Sequence, residues 1–194
     1  MNFNFFAYLN RMKFIKRWSL MHSLVEENIM EHTEQVSVIA HALAVIKNKM
    51  FGGNVNIEIV LLYSQYHETS EVITGDLPTP IKYYNKQIIG AYKEIEDKAN
   101  NKLLSMLPNE LKEEYESCVI PNKDSEEYII MKCADKISAY IKCEEEVKFG
   151  NSEFIKAKET IYNDIMKTDR QEVLYFMQNI APCYSLTLDE LESE

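Results

Sequence analysis

The chain has little glycine and little proline, five of each in 194 residues. That is far too few for a linker-rich or disordered polymer, and sparse for a sandwich of short strands joined by tight turns. An excess of positive charge is also missing: 21 Lys and Arg stand against 31 Asp and Glu, a formal net charge of −10. A duplex nucleic-acid binder needs a basic surface to displace counterions, so no nucleic-acid polymer is expected as a partner. The same argument disfavours an anionic membrane surface. No apolar run approaches the roughly 20 residues of a membrane span. The opening MNFNFFAYLNRMKF lacks the order of a secretory signal, because Arg11 and Lys13 interrupt its apolar residues. The four cysteines form no CxxC pair and read as buried free thiols in a reducing compartment. A cytoplasmic protein follows. A small anionic substrate stays open, because one arginine or a metal can outweigh the global field.

What is present is helical periodicity, in a chain 46% apolar and 27% charged. A first helix is expected near 3–14, then an irregular stretch, RWSLMHSLVEENIM. From Glu31 to Met50 the apolar stripe Val36, Ile39, Ala40, Leu43 has helical spacing. Phe51-Gly52-Gly53-Asn54 stops that helix. The next segment, IEIVLLYSQYHETSEVI, is apolar on nearly every face of its first half, as a central buried helix would be. Two prolines make 74–80 a rigid loop, and further helices are expected near 81–106, 108–118 and 125–149. Asp124 and Glu127 look like a capping box, and Ser152 and Asp169 look like N-caps. Pro182 closes the last helix, and the acidic tail near 186–194 is expected to fray. The reading is an all-α single domain over 1–194.

Four histidines are few enough to weigh one by one. His41 lies nine residues after His32 and so on the opposite side of the helix, and His22 carries no spacing signal. His32 extends the buried stripe backwards by one turn. His67 ends the apolar helix and is followed by Glu68, with Glu71 a turn later. Burying carboxylates beside a histidine is costly unless they are paired or bind a metal. Asp135 interrupts the apolar stretch IIMKCADKISAYI, where its plainer reading is a surface acid beside Lys132 and Lys136. Three helices thus offer nitrogen and oxygen donors suited to a divalent metal. A di-iron bundle needs Glu-x-x-His, which no histidine here provides, and His67-Glu68-Thr69-Ser70-Glu71 lacks the second histidine of a zincin.

His32, His67 with its following acid, and the distant Asp135 resemble the H…HD…D signature of the HD-domain metal-dependent phosphohydrolases. The likeness is closest to the bacterial YfbR-like 5′-deoxynucleotidases. It is carried by Arg17-Trp18, Glu31-His32, FGGNVN, HETSEVITGDLPTP at 67–80 and CADKISAYIKCEEE at 133–146. The resemblance implies an HD-domain helical bundle, often homodimeric, that hydrolyses deoxyribonucleoside 5′-monophosphates to deoxynucleoside and phosphate. It implies a divalent cation (Co, Mn, Zn, Ni or Mg) held by His32, His67, Glu68 and Asp135. Arg17, Trp18 and Asp76 would bind the nucleotide, Trp18 disfavouring a ribose 2′-hydroxyl, and Glu71, Asp76 and Arg17 would be catalytic. By residue type alone, Arg17 would be a solvated charge, Trp18 a packing residue and Asp76 a turn residue. The family motif is His-Asp, whereas His67 is followed here by Glu68, whose extra methylene moves the carboxylate outward by roughly an ångström. That departure leaves another nucleotide phosphoester, or a catalytically weakened nucleotide or metal sensor, as alternatives.

Overall fold

Helices follow one another through residues 3–82 and 84–192, the residues described by a computed structural model. They are α1 (Phe5–Leu9), α2 (Ile29–Met50), α3 (Ile57–Tyr66), α4 (Glu71–Thr74), α5 (Thr79–Lys82) and α6 (Lys86–Leu104). Then come α7 (Asn109–Val119), α8 (Glu126–Lys148), α9 (Ile155–Ile165), α10 (Gln171–Asn179) and α11 (Leu188–Leu191). Short 3₁₀ turns cover Asn10–Phe14, Ser152–Phe154 and Ala181–Ser185. Among the described residues there is no β-strand, only an isolated antiparallel bridge between Lys16 and Asn28.

Helix α2 is the axis of the fold. Asn28 starts it by accepting from the amides of Met30 and Glu31, while the Glu31 side chain accepts from the Asn28 amide at 2.9 Å. This capping box satisfies amides that would otherwise have no partner at a helix start. Helices α3 and α8 pack along α2, and Val36, Ile39, Ala40 and Leu43 meet Val60, Ile130, Ala134 and Ile137 in the main core. A second cluster, Phe5 with Leu103, Leu104, Leu107 and Val119, seats α1 on α6 and α7.

Several local expectations are corrected. Helix α8 begins one residue later than the Asp124–Glu127 pattern implied: the Ser125 side chain caps it, and Glu127 accepts from the Asn56 amide at 3.1 Å, tying α8 to the start of α3. Asn151 rather than Ser152 caps the turn before α9, and α10 has no side-chain cap at all. Segment 74–80 is not a loop throughout, because α5 starts at Thr79; a proline in a first turn lacks only an amide that had no intrahelical partner. Helix α3 is half-buried, with Ile59 36% and Leu62 44% exposed, because α2, α8 and α7 leave one face of it uncovered. One capped turn, α11, forms within the tail expected to fray, and residues 193–194 lie outside the described ones. Of the cysteines, Cys118 and Cys143 are buried, Cys133 is half-buried and Cys183 is exposed; all four are free.

Candidate active site

His32, in the first turn of α2, is fully buried, and its Nδ1 lies 3.1 Å from the Ser138 hydroxyl. Ser138 donates its one proton to Gln35 Oε1 at 2.5 Å, so it accepts from His32 Nδ1–H. His67 follows the last residue of α3, and its Nδ1 donates to the Ser64 carbonyl at 2.6 Å. Both rings therefore hold a proton on Nδ1 and turn Nε2 inward, where the two nitrogens stand 3.4 Å apart. Asp135 of α8 brings Oδ1 to 3.2 Å from His32 Nε2, and Glu68 brings Oε1 to 3.3 Å from His67 Nε2. Ligand atoms of these four residues all lie within 4.8 Å of one another.

These residues fit a divalent cation. Two imidazole lone pairs and two carboxylates converging on one point repel one another unless positive charge stands among them. Donors about 2.1 Å from a common ion lie about 3.0–3.4 Å from each other; three pairs here stand 3.2–3.4 Å apart, and His32 Nε2 to Glu68 Oε1 is wider at 3.9 Å. Burial pushes the His32 pKa down, and burial acting on His67 is more than offset by the Glu68 carboxylate, which draws it up. Burial alone would raise both acids, yet the neighbouring His67 holds Glu68 well below the usual range, and Lys132 and His32 do the same for Asp135. Both carboxylates are thus ready to act as anionic ligands. Asp135 also pairs with Lys132 one helical turn away.

Beside this cluster lies Arg17. Its Nε donates to Glu27 Oε2 at 3.2 Å, and its Nη1 is 3.8 Å from Glu68 Oε1. Trp18 donates from Nε1 to the same Glu27 oxygen at 2.9 Å and packs on Phe154 with ring centroids 5.4 Å apart. Its φ of 59° is left-handed, which a side chain with a Cβ adopts only where surroundings impose it. Glu71 is buried, and its Oε2 has no hydrogen-bond partner. Burial, with Glu68 and Asp76 nearby, pushes the Glu71 carboxyl up to about 10. Burial also raises Asp76, against the opposing charge of Arg17. A cavity of about 280 Å³ opens on His67 and Glu68, with Lys82, Tyr92 and Lys132 among its walls.

The structure brings together His32, His67, Glu68 and Asp135, with Arg17 alongside, and places Trp18 next to Arg17. Glu71 and Asp76 sit close enough to shift with Glu68. His41 and His22 are exposed and take no part. The turn over 67–70 is closed by Thr69 N to Tyr66 O and Glu71 N to Glu68 O, so Glu71 begins a separate helix rather than continuing α3. The sequence offered no sign of Glu27, Gln35 or Ser138. Glu27 stands in an aperiodic stretch, and Ser138 is one small polar residue in an apolar helix; a search for hydroxyls one turn from a candidate ligand would have raised Ser138.

Residues 4–184 match the 5′-deoxynucleotidase YfbR-like family. A Vibrio cholerae protein called 5′-deoxynucleotidase is 51% identical over 189 residues, 97% of each chain. A Photorhabdus temperata protein called 5′-deoxynucleotidase yfbR is 50% identical, covering 97% of this chain and 96% of its own. Among solved structures, an HD-domain phosphohydrolase from Listeria innocua superposes with a TM-score of 0.84 at 22% identity, over 98% of this chain and 92% of its own. The cyanophage S-2L HD phosphohydrolase DatZ, solved with dA and one catalytic Zn²⁺, gives a TM-score of 0.62 at 15% identity over 91% and 95%. At those identities the two structures establish the shared fold.

Proposed function

We propose that the chain, a member of the 5′-deoxynucleotidase YfbR-like family, hydrolyses deoxyribonucleoside 5′-monophosphates with a divalent cation held by His32, His67, Glu68 and Asp135. The observation that carries this assignment is the convergence of those four donors beside an arginine whose Nη1 lies 3.8 Å from Glu68 Oε1. The cation supplies Lewis acidity toward a phosphoryl oxygen and acidifies water near neutral pH.

The chain's own residues do the rest. Arg17 has Nε committed to Glu27, which leaves its Nη edge for two phosphate oxygens, a pairing the planar guanidinium suits. Trp18, fixed next to it, packs at the sugar and leaves little room for a 2′-hydroxyl. Glu71 keeps its proton at neutral pH and donates one to the departing 5′ oxygen, while Asp76 orients the attacking water. Glu68 reaches His67 and approaches Arg17 despite replacing the motif aspartate, so its carboxylate joins the ligand set in spite of the longer side chain.

Two coarser readings go with this one. A homodimer is supported by the exposed Met30, Val38, Ile59 and Leu62 on the paired helices α2 and α3, and light scattering reads it directly. No helix among the described residues is long and apolar enough to cross a membrane, and four free thiols suit the reducing cytoplasm.

The test is phosphate release from dAMP and from AMP by metal-stripped protein, with Co²⁺, Mn²⁺, Ni²⁺, Zn²⁺ or Mg²⁺ added back. Metal-dependent release that favours dAMP is expected. Folded protein that releases no phosphate with any of the metals overturns the proposal.

A further inference from the structure

We propose that Glu27 is the positioning residue that fixes Arg17 and Trp18 as one unit, so that selection of deoxyribose over ribose depends on a carboxylate outside the substrate's reach. The inference rests on the roles assigned above to Arg17 and Trp18.

One oxygen does the joining. Glu27 Oε2 accepts from Arg17 Nε at 3.2 Å and from Trp18 Nε1 at 2.9 Å. The two donors belong to adjacent residues, and both side chains reach one acceptor with the backbone left-handed at Trp18. Glu27 also holds the main chain of this segment. Its carbonyl accepts from the Arg17 amide at 2.9 Å, next to the Lys16–Asn28 bridge and the bond from Ile29 N to Ile15 O at 3.0 Å. Backbone and side chain of one residue thus grip the same dipeptide.

Glu27 is itself anchored. Glu146 of α8 is fully buried and accepts from the amides of Leu24 at 2.9 Å and Val25 at 3.0 Å, while Lys142 donates to the Val25 carbonyl. The Glu27 side chain is 12% exposed, too enclosed to swing away when a substrate arrives. It is not part of the cation site: His32 Nδ1 is 3.9 Å from Oε1 and is engaged by Ser138.

The consequence is geometric. With Nε tied to Glu27, Arg17 can present only its Nη edge, and Nη1 already points to Glu68. With Nε1 tied to the same oxygen and its ring against Phe154, Trp18 cannot rotate away from the sugar. Phosphate position and sugar clearance are then set by one acceptor, and a nucleotide seated on Arg17 meets the indole at a fixed distance. Removing the acceptor frees both side chains together. A misplacement of about 1 Å at such a contact costs roughly 100-fold in rate.

The experiment compares kcat and KM for dAMP and AMP in metal-reconstituted wild type, Glu27→Ala, Glu27→Gln and Glu27→Asp, with bound metal and melting temperature measured for each. Glu27→Ala is expected to lower the dAMP-to-AMP ratio of kcat/KM roughly tenfold or more, mainly because AMP is no longer excluded, with metal content unchanged. Glu27→Gln keeps an oxygen that accepts from both donors and is expected to retain the ratio within about threefold. If Glu27→Ala does not fold, Glu27→Asp, whose oxygen is withdrawn, is read in its place and should lose part of the ratio. Wild-type selectivity in Glu27→Ala, or in Glu27→Asp where that variant stands in, overturns the inference. A Glu27→Gln enzyme as unselective as Glu27→Ala overturns it too, since charge rather than placement would then be responsible. A wild type with no preference for dAMP is a different failure, that of the sugar role given to Trp18.

Discussion

His32 and His67 face each other through Nε2 at 3.4 Å, and the far nitrogen of each ring is committed to a different partner, Ser138 for His32 and the Ser64 carbonyl for His67. Those outer partners decide that the inward nitrogens carry lone pairs, and so decide that the pair can hold a cation.

Replacing Ser138 by alanine should therefore weaken cation binding without touching a ligand. The His32 tautomer is then no longer fixed, and loss of such an outer partner typically costs 10–100-fold in metal affinity. Calorimetric titration of Mn²⁺ into the stripped variant checks this, and an affinity equal to wild type would count against the tautomer argument.

Arg17→Lys keeps the charge and removes the planar fork. Bidentate grip of a phosphate should fall away, lowering kcat/KM for dAMP by roughly 10–100-fold, the value of one charge-assisted hydrogen bond. Steady-state kinetics decide it. A lysine variant as active as wild type would mean that a point charge suffices.

Glu71→Gln preserves volume and a polar hydrogen but has no proton to give. Loss of a general acid costs about 10²–10⁴-fold in rate, and single-turnover release of phosphate should show that loss in kcat. Stability should hold, since a buried carboxyl pushed up to about 10 is neutral at pH 7. A fully active variant would move the proton transfer elsewhere.

Acid should loosen the segment that carries Glu27. Burial alone would raise the Glu146 carboxyl, yet Lys142, Asn151 and the amides of Leu24 and Val25 hold it down at about 2. A folded-state value below the unfolded one of 4.5 means stabilisation present in full above pH 4.5 and lost as pH falls through about 2. The linkage is worth at most about 3 kcal/mol. Urea denaturation of wild type and Glu146→Gln should show a stability gap that narrows between pH 6 and pH 3. A gap independent of pH would show that the charge of Glu146 contributes nothing.

The sequence carries much of this architecture because α2 and α8 have long apolar stripes broken by single acids and histidines. His32 could be placed on the buried side by counting turns back from Val36, and Asp135 stood out among apolar neighbours. Capping residues were harder to place. Ser125, Asp124 and Glu127 are all competent by type, and the choice depends on where Glu127 finds a better partner, the Asn56 amide on another helix. The burial of α3 is not legible in the sequence, because a run such as IVLLY does not say how many neighbours will cover it. Glu27 was invisible for a related reason: its role rests on a left-handed turn at Trp18, a residue type that gives no warning of one.

The central claim is that His32, His67, Glu68 and Asp135 hold the cation on which phosphate release depends. Its most direct measurement is Co²⁺ binding to metal-stripped wild type and Asp135→Ala, followed by the visible spectrum of the bound ion, with phosphate release from dAMP assayed on the same samples. Wild type should bind Co²⁺ tightly, show a d–d spectrum of nitrogen and oxygen ligation, and recover activity in step with occupancy. The variant should lose both together. Undiminished Co²⁺ binding and turnover in folded Asp135→Ala would contradict the account.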